Sequence, residues 1–566
     1  MTEEKKLTPE RVFKELDKGV GFNAQIDLYE NVRSNENFYI GRQWEGVQSN
    51  GLPTPIFNFI KRVVMYLVAS TATDNIKVSA SPLSSTGMAT AQEVEKLCRI
   101  VNAQFEALFE QNKTAKRIRD FMRNAAVDGD GCIYTWFDPS VETGQTAKGA
   151  IRMELIENTR VLFGNPNTPE VAKQPYILIT RREDVKDVKR RAEDQGGQAD
   201  NVRADTDENN DRFDVMAGDK ATLVTRLWLD RKTKTIHAFE CTRDAVVRPE
   251  WDTRQKLYPI VWMPWDYIQN CYHGQAAVTG LIPNQIFVNK AYAMSMISLM
   301  TTAYPKIVYD RTRIGSWNNG VGQAIGVNGG DVSNVAKAID PPAISPQISQ
   351  FIGSAINYTK EFMGATDAAL GDTRPDNTSA IIALQKASSV PMELMKQNLW
   401  QCVEDLANIW LDLMRVYYGE RYVELPPQST GQQPIPIPQG VQAPALEQAM
   451  SGEGPVLFDF SELERVPLSL KLDVGGSAYW SEIAQMQTLD NLLMQSKIDI
   501  VDYLERVPNG YILNQQELID KFKNGHAQAA AGADAPIVDF KQPTDPVGGS
   551  GYGTLQRKLN ETGEAG

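Results

Sequence analysis

The chain has 566 residues, of which 42% are hydrophobic and 23% charged, and this balance predicts a folded protein with a sizeable core. Its formal net charge of −13 disfavours the class of proteins that grip nucleic acid with a basic surface. Any DNA that the protein meets is therefore expected to be passed along rather than held.

No segment has the pattern of an export signal or a membrane span. The N-terminal segment MTEEKKLTPERVF lacks a basic stretch followed by an apolar run, and no stretch of about 18 uninterrupted apolar residues occurs. The most apolar stretch, residues 276–303, contains Lys290 and is interrupted by Pro283 and neighbouring amides. We expect a soluble, non-exported protein without a membrane partner, and a helix buried between protein neighbours at 276–303.

The residues that enzymes and metal sites need are not arranged for chemistry. No glycine is followed by lysine, which excludes the usual phosphate-binding loop, and neither a GxSxG nor an HExxH pattern occurs. The five cysteines are scattered without a CxxC pair, which predicts reduced thiols. We expect no enzymatic activity, no metal and no cofactor.

The N-terminal half is predicted to be mixed helix and strand. Thr8 and Pro9 open a helix expected to end near Gly19, and further helices are expected at about 26–39, from Pro55, around 94–109 and at 114–127. After Asp128-Gly129-Asp130-Gly131, strands are expected at CIYTWF, AIRMELIEN, PYILIT, ATLVTRLWL and TIHAFEC. The densely charged residues 181–214 are predicted to be a solvated loop.

The second half is predicted to be dominated by long helices. A nearly uncharged helix from Leu281 to Ala303 precedes a Gly-rich, β-rich excursion and a second helix from Pro346 to Met363. A polar loop then leads to a helix from Ser379 to Tyr418, which Pro391 is expected to kink. An exposed Pro-rich loop at 426–455, the strand LSLKLDV, helices at about 481–495, 498–506 and 515–524, and a disordered tail from residue 525 follow.

This order of elements resembles the phage portal family over residues 30–524. FYIGRQWEG, from Phe38 to Gly46, is similar to an F-x-x-G-x-Q-W pattern near the N-terminus of many portals. HGQAAVTGLIPNQIFVNKAYAM, from His273 to Met294, is similar to the segment through which portals lead into their first stem helix. The resemblance rests on the ordered architecture rather than on one diagnostic motif.

The resemblance implies a mixed α+β, predominantly helical portal fold that assembles as a ring. The parts that it implies are an N-terminal helical and α/β wing region (1–275), a first stem helix (276–303), a clip (304–344), a second stem helix (345–365), a tunnel loop (366–378), a long kinked helix with a return to the wing (379–480), a crown of short helices (481–524) and a tail (525–566).

The function implied is that of a ring-forming channel for packaging and ejecting double-stranded DNA at a capsid vertex, in a virion assembled in the host cytoplasm. The ring is expected to be a dodecamer, and the partners are the terminase motor, head–tail adaptors, and major capsid and scaffolding proteins. The alternatives are another ring-forming head-to-tail connector and, from a different class, a nucleic-acid packaging enzyme with phosphate-binding or metal-binding carboxylates.

Three sets of residues are candidate sites by their place in this scheme. Polar residues of the tunnel loop are candidates for contact with passing DNA, or form an ordinary polar turn: Asp372, Arg374, Asp376 and Asn377. A basic set in the clip would meet an acidic partner or DNA, or is scattered surface charge: Lys306, Arg311, Arg313, Trp317 and Lys337. Three stem charges would face the channel or a neighbouring subunit, or are simply solvated: Lys290, Lys360 and Glu361.

Overall fold

The computed structural model describes most of the chain outside residues 425–455 and 520–566. The described residues are 7–49, 51–72, 76–82, 91–145, 147–205, 219–303, 306–318, 324–331, 333–339, 346–364, 378–424, 456–465, 468–474, 489–495, 497–507 and 518–519. The chain divides into two compact units, residues 1–475 and residues 476–566.

The first unit contains nine helices in its described part: α1 (Pro9–Gln25), α2 (Leu28–Ile40), α3 (Phe59–Ala72), α4 (Ala91–Gln111), α5 (Thr114–Asp128), α6 (Val185–Asp194), α7 (Ala277–Ala303), α8 (Pro346–Phe362) and α9 (Thr378–Tyr417). No helix in these ranges is long and apolar enough to cross a lipid bilayer.

The strands within the described ranges of this unit form five sheets. β1 (Ile76–Pro82) pairs with β14 (Leu468–Val474), β10 (Ile307–Tyr309) with β11 (Ala336–Ala338), and β12 (Glu420–Val423) with β13 (Val456–Asp459). A three-stranded sheet has the order β3 (Ala150–Leu155), β2 (Asp130–Asp138), β9 (Ile260–Pro264). A five-stranded antiparallel sheet runs in chain order through β4 (Val161–Phe163), β5 (Ile177–Asp184), β6 (Lys220–Leu229), β7 (Ile236–Cys241) and β8 (Val246–Asp252).

The main hydrophobic core joins helices from both ends of the unit. Ile60 and Leu67 of α3, Phe121 of α5 and Trp410 and Leu413 of α9 are all buried in one cluster. Apolar residues that recur every three or four positions along a helix lie on one of its faces, which is the face buried here. The long helix α9 is therefore a core element, and its apolar spacing needs no functional explanation.

The charged segment 181–214 was predicted to be a solvated loop, and this prediction is wrong for its described part. Residues up to Asp184 continue strand β5, and α6 follows directly. Val188 and Ala192 of α6 are buried against Leu223 and Val247 of the five-stranded sheet. Two apolar residues four positions apart suffice to dock a short helix whose other faces are charged, which the composition of the segment concealed.

The prediction that the first helix ends near Gly19 is also wrong, since α1 continues to Gln25. The last turn is held by long-range contacts: Phe22 stacks on Tyr272 with ring centroids 5.9 Å apart, and Asn23 is buried. Tertiary packing thus overrides the weak helix propensity of glycine.

The turn between α5 and β2 depends on glycine. Gly129 has φ +102°, and a Cβ atom on it would lie 2.7 Å from the carbonyl oxygen of Gly274. Both the left-handed backbone and the close approach exclude other residues. This turn brings Asp130 beside the segment that leads into α7.

The second unit is described only in part. Residues 489–494 are helical, and a further helix, α10 (Ile500–Arg506), is capped by Asp499, whose side chain accepts a hydrogen bond from the Ile500 amide at 2.8 Å. The Tyr503 hydroxyl donates to Asp490 Oδ1 at 2.6 Å. The helix expected at 498–506 is thus observed, whereas most of the one expected at 515–524 and the whole tail from residue 525 lie outside the described residues.

Candidate functional site

Helices α7 and α8 form a hairpin. They run in opposite directions, since Asn284 Nδ2 donates to Thr359 Oγ1 at 3.0 Å while the rings of Phe287 and Phe351 meet edge to face at 5.6 Å. The β10–β11 pair lies between α7 and α8 in the chain, which is the expected order of a helix, a β-containing excursion and a second helix.

Much of the apolar surface of the hairpin is uncovered. On α8, Phe351, Tyr358 and Phe362 lie on one stripe and are 65%, 59% and 86% exposed. The second half of α7 adds four exposed side chains, Met294, Met296, Leu299 and Met300. A monomeric protein rarely leaves this many large apolar side chains of one helix pair in water. The hairpin therefore has the surface of an element that packs against another protein.

The charges predicted to matter on this hairpin lie at its surface. Lys290 and Glu361 are exposed, and Lys360 is half-buried near the end of α8. The backbone amides of Met363 and Gly364 donate to the carbonyl oxygens of Lys360 and Glu361, which closes the last turn. The structure brings Lys360 and Glu361 together at one end of α8.

The β10–β11 pair places two of the predicted basic residues on one face. In the ladder Val308 is opposite Lys337, and the Ile339 amide donates to the Lys306 carbonyl at 2.8 Å. Because side chains alternate between faces, Lys306, Val308, Lys337 and Ile339 share a face. All four are exposed, which makes this face both basic and apolar.

Arg311 and Arg313 differ in their surroundings, although the sequence suggested the same role for both. Arg311 is exposed in the turn after β10. The Arg313 guanidinium instead donates to the carbonyl oxygens of Asn328, at 3.2 Å from Nε, and of Asp331. Arg313 thereby ties two parts of the loop together, while Trp317 stacks on Tyr309 with centroids 5.4 Å apart. The four tunnel-loop candidates, Asp372, Arg374, Asp376 and Asn377, lie outside the described residues.

Sequence reasoning missed a buried polar cluster just before α7. Asp130 Oδ2 lies 2.6 Å from His273 Nδ1, and Asp130 Oδ1 accepts from the Gly274 amide at 2.7 Å. Asn158 Nδ2 also donates to Asp130, and His273 Nε2 lies 3.1 Å from Asn23 Oδ1. Asp130, Asn158, His273 and Asn23 are all buried. The Asp-Gly-Asp-Gly turn marked the place, but nothing in the sequence indicated its partners.

The neighbouring Asp128 has an unusually high pKa. Burial raises the pKa of Asp128 from its ordinary 3.8 to about 7; the nearby Arg123 guanidinium opposes this shift, and the Glu36 carboxylate adds to it. The folded protein thus holds this proton at pH values where the unfolded chain has released it. The contribution of Asp128 to stability is present below pH 4 and is lost as the pH rises towards 7.

We therefore expect Asp128→Asn to stabilise the protein, and to do so more at pH 8 than at pH 5, because asparagine stays neutral. Thermal unfolding of both proteins at the two pH values measures this difference. Asp120→Asn, an exposed position on the same helix, serves as the control. A difference in melting temperature that does not change with pH would contradict the raised pKa.

No group of three or more His, Cys, Asp and Glu side chains that could hold a metal ion is found within the described ranges. Four of the five cysteines are buried and all are free thiols. The described hairpin thus has exposed apolar side chains, and the β10–β11 pair between its helices has a face that is both basic and apolar.

Comparison with known proteins supports this description. No curated protein sequence matches the chain. Residues 181–438 match the family model of the phage P22-like portal protein, and the matched range contains the hairpin, the β10–β11 pair and α9. The resemblance to the phage portal family stated from the sequence is thus confirmed over residues 181–438.

Proposed function

We propose that the chain is one subunit of a ring at a capsid vertex, through which double-stranded DNA enters during packaging and leaves during ejection. The match to the portal family supports a structural protein with a ring oligomer and packaging partners in general terms. The observation that carries the proposal is the uncovered apolar stripe of the hairpin, which a closed ring of identical contacts would bury without leaving a free edge.

Within this proposal the hairpin is the stem and residues 304–344 are the clip. The face shared by Lys306, Val308, Lys337 and Ile339 would dock the packaging motor or a head–tail adaptor. Its two exposed aliphatic side chains provide apolar area, and the two lysines favour an acidic partner surface. Arg311 would extend this interface, whereas Arg313 supports it by holding the loop.

The remaining candidate residues are assigned by their place in the chain. Lys290, Lys360 and Glu361 would line the channel or the contact between subunits. Asp372, Arg374, Asp376 and Asn377 would form the narrowest level of the channel, where acidic groups repel phosphate and a single arginine contact stays weak and sensitive to salt. The net charge of −13 fits a channel that passes DNA without binding it.

The two alternatives are weighed against the family match. A packaging enzyme is disfavoured, because the portal family is structural and the sequence has no Gly-Lys pair for a phosphate-binding loop. A different ring-forming connector would share the exposed hairpin, but residues 181–438 match a portal model.

Electron microscopy of the purified chain in negative stain tests the proposal. We expect rings with a central hole, about twelve subunits around each, and no hydrolysis of ATP by the same preparation. Sedimentation velocity across a range of concentration and salt gives the matching mass. A protein that sediments only as a monomer under all these conditions would refute the proposed ring.

A further inference from the structure

The segment from Gln43 to Phe57, here called the strap and described except for residue 50, contacts α7 at both of its ends. Asn289 Nδ2 donates to Gln43 Oε1 at 2.6 Å, and Gln285 Nε2 donates to Asn289 Oδ1 at 3.0 Å. Gln43, Gln285 and Asn289 are all buried. Gln43 belongs to the FYIGRQWEG pattern, so the structure gives this pattern a physical partner on α7.

The far end of the strap meets the same two amides. Gln285 Nε2 donates to the Phe57 carbonyl oxygen at 2.8 Å, and the Phe57 amide donates to Asn289 Oδ1 at 3.3 Å. The Phe57 ring stacks on Tyr292 with centroids 3.9 Å apart. Both ends of the strap thus converge on one face of α7, where residues 285, 289 and 292 are neighbours at helical spacing.

The strap is also closed on itself. Trp44 Nε1 donates to the Pro55 carbonyl oxygen at 2.9 Å, and Gln43 Nε2 donates to the Phe38 carbonyl oxygen at 3.0 Å. Asn58 Nδ2 donates to the Tyr39 carbonyl oxygen at 2.9 Å, which joins the end of α2 to the start of α3. The strap is therefore a preformed loop rather than a loose connection.

Apolar burial does not explain why the strap stays on α7. Val47, Leu52 and Ile56 of the strap are 55%, 56% and 45% exposed, so most of its large aliphatic side chains are turned away from the protein. Buried amides, in contrast, lose free energy when they are left without partners. The hydrogen bonds of Gln43, Gln285 and Asn289, together with the stacking of Phe57 on Tyr292, thus attach the strap to α7.

The same amides define the rotation of α7 about its own axis. Most side chains of α7 are apolar. Apolar contacts have no preferred direction, so they alone would tolerate a small rotation of the helix. The hydrogen bonds donated by Gln285 Nε2 and Asn289 Nδ2 are directional, so they form in one setting of the helix. Asn284 faces the other way and donates to Thr359 of α8.

We propose that Gln43, Gln285 and Asn289 form an amide lock that couples the order of the strap to the rotational setting of α7. The strap is bound in one setting of the helix, and its release and the rotation of α7 are a single event. Gln43 acts as a positioning residue for α7, and the lock functions within one subunit whether or not rings form.

Hydrogen exchange of the full chain, followed by mass spectrometry, tests this coupling in both directions. Asn289→Leu is expected to speed amide exchange in the strap by about 10-fold, since removing a buried hydrogen-bond partner costs about that factor in equilibrium. Gln43→Leu is expected to speed exchange around residues 285–292 of α7, although Gln43 lies 246 positions away from Asn289.

A matched control lies on the same helix. Asn284→Leu removes an amide of the same size that bonds to α8, so it is expected to leave exchange in the strap unchanged. Hydrogen exchange in β5 and β6 that is as slow as in the wild type shows that a variant is folded. If Asn289→Leu fails this check, Asn289→Ala replaces it, because alanine removes the same hydrogen bonds, introduces no charge and has a high helix propensity.

The proposal is overturned if each substitution affects only its own segment, or if Asn284→Leu loosens the strap as much as Asn289→Leu does. In either case the amides would be ordinary packing contacts without coupling. The proposal is supported if Asn289→Leu and Gln43→Leu each speed hydrogen exchange both in the strap and in residues 285–292 of α7.

Discussion

Replacement of Asp130 by alanine is expected to lower the free energy of unfolding by about 3–5 kcal/mol, one of the largest effects of any single substitution in the chain. The buried carboxyl group accepts hydrogen bonds from the Gly274 amide and Asn158 and contacts His273 at 2.6 Å. Alanine would remove one buried hydrogen-bond partner from each of these three polar groups. Denaturant unfolding followed by circular dichroism measures the loss.

Two further variants separate the carboxyl group from simple loss of volume. Asp130→Asn keeps the shape and one acceptor oxygen, so its effect should lie between those of the wild type and of Asp130→Ala. Asp200→Ala, at an exposed position, should change stability by no more than about 0.5 kcal/mol. Equal stability of the Asp130→Ala and Asp200→Ala proteins would show that the cluster contributes nothing.

The position of Asp130 explains why this effect matters for assembly. The cluster joins the start of β2 to the residues just before α7, and His273 extends it to Asn23 on α1. The base of the hairpin is thus fixed by the Asp130 cluster and by the amide lock further along α7. The second half of α7, with Met294, Leu299 and Met300 exposed, lies beyond both.

Elements that local spacing defines were predicted closely from the sequence. The helices α8 and α9 begin and end within one residue of the expected positions, because apolar periodicity and flanking proline and polar residues mark their limits. The mixed fold with a helix, a β-containing excursion and a second helix follows from the same local signals. The kink expected at Pro391 stays a prediction.

Long-range pairing was not accessible in this way. Strand β1 pairs with β14 although Ser79 and Lys471 are 392 positions apart, and the sequence around β1 has no strong strand pattern of its own. The same limit applies to the candidate site. That Lys306 and Lys337 share a face, or that Arg313 bonds to loop carbonyls, depends on contacts between distant segments, which no single-sequence pattern reports.

The sequence also concealed polar residues that matter because they are buried. Gln43 and Asn289 look like ordinary surface amides in the sequence, and His273 like an isolated histidine. Their partners become visible only when α1, α2 and β2 meet the start of α7. A buried amide or carboxyl group gains its role from the cost of leaving it unpaired, and that cost is a property of the fold.

The double substitution Phe351→Glu with Phe362→Glu is expected to abolish the large oligomer and to leave smaller species in solution. Both rings are exposed in the single chain, at 65% and 86%, so glutamate should do little to the fold of one subunit. In a ring that buries this stripe, each carboxylate would lose its hydration in an apolar contact, which costs several kcal/mol at every interface. Sedimentation velocity measures the loss of the oligomer, and an unchanged far-ultraviolet circular dichroism spectrum shows that the subunit stays folded.

Leu229→Glu, at an exposed aliphatic position on the five-stranded sheet, is the control and should still assemble. Because the proposed contact is apolar, the wild-type oligomer should also survive high salt, which would dissociate an assembly held by surface charge. Rings that persist with both glutamates in place would show that the subunits meet through another surface, even if the protein is a portal.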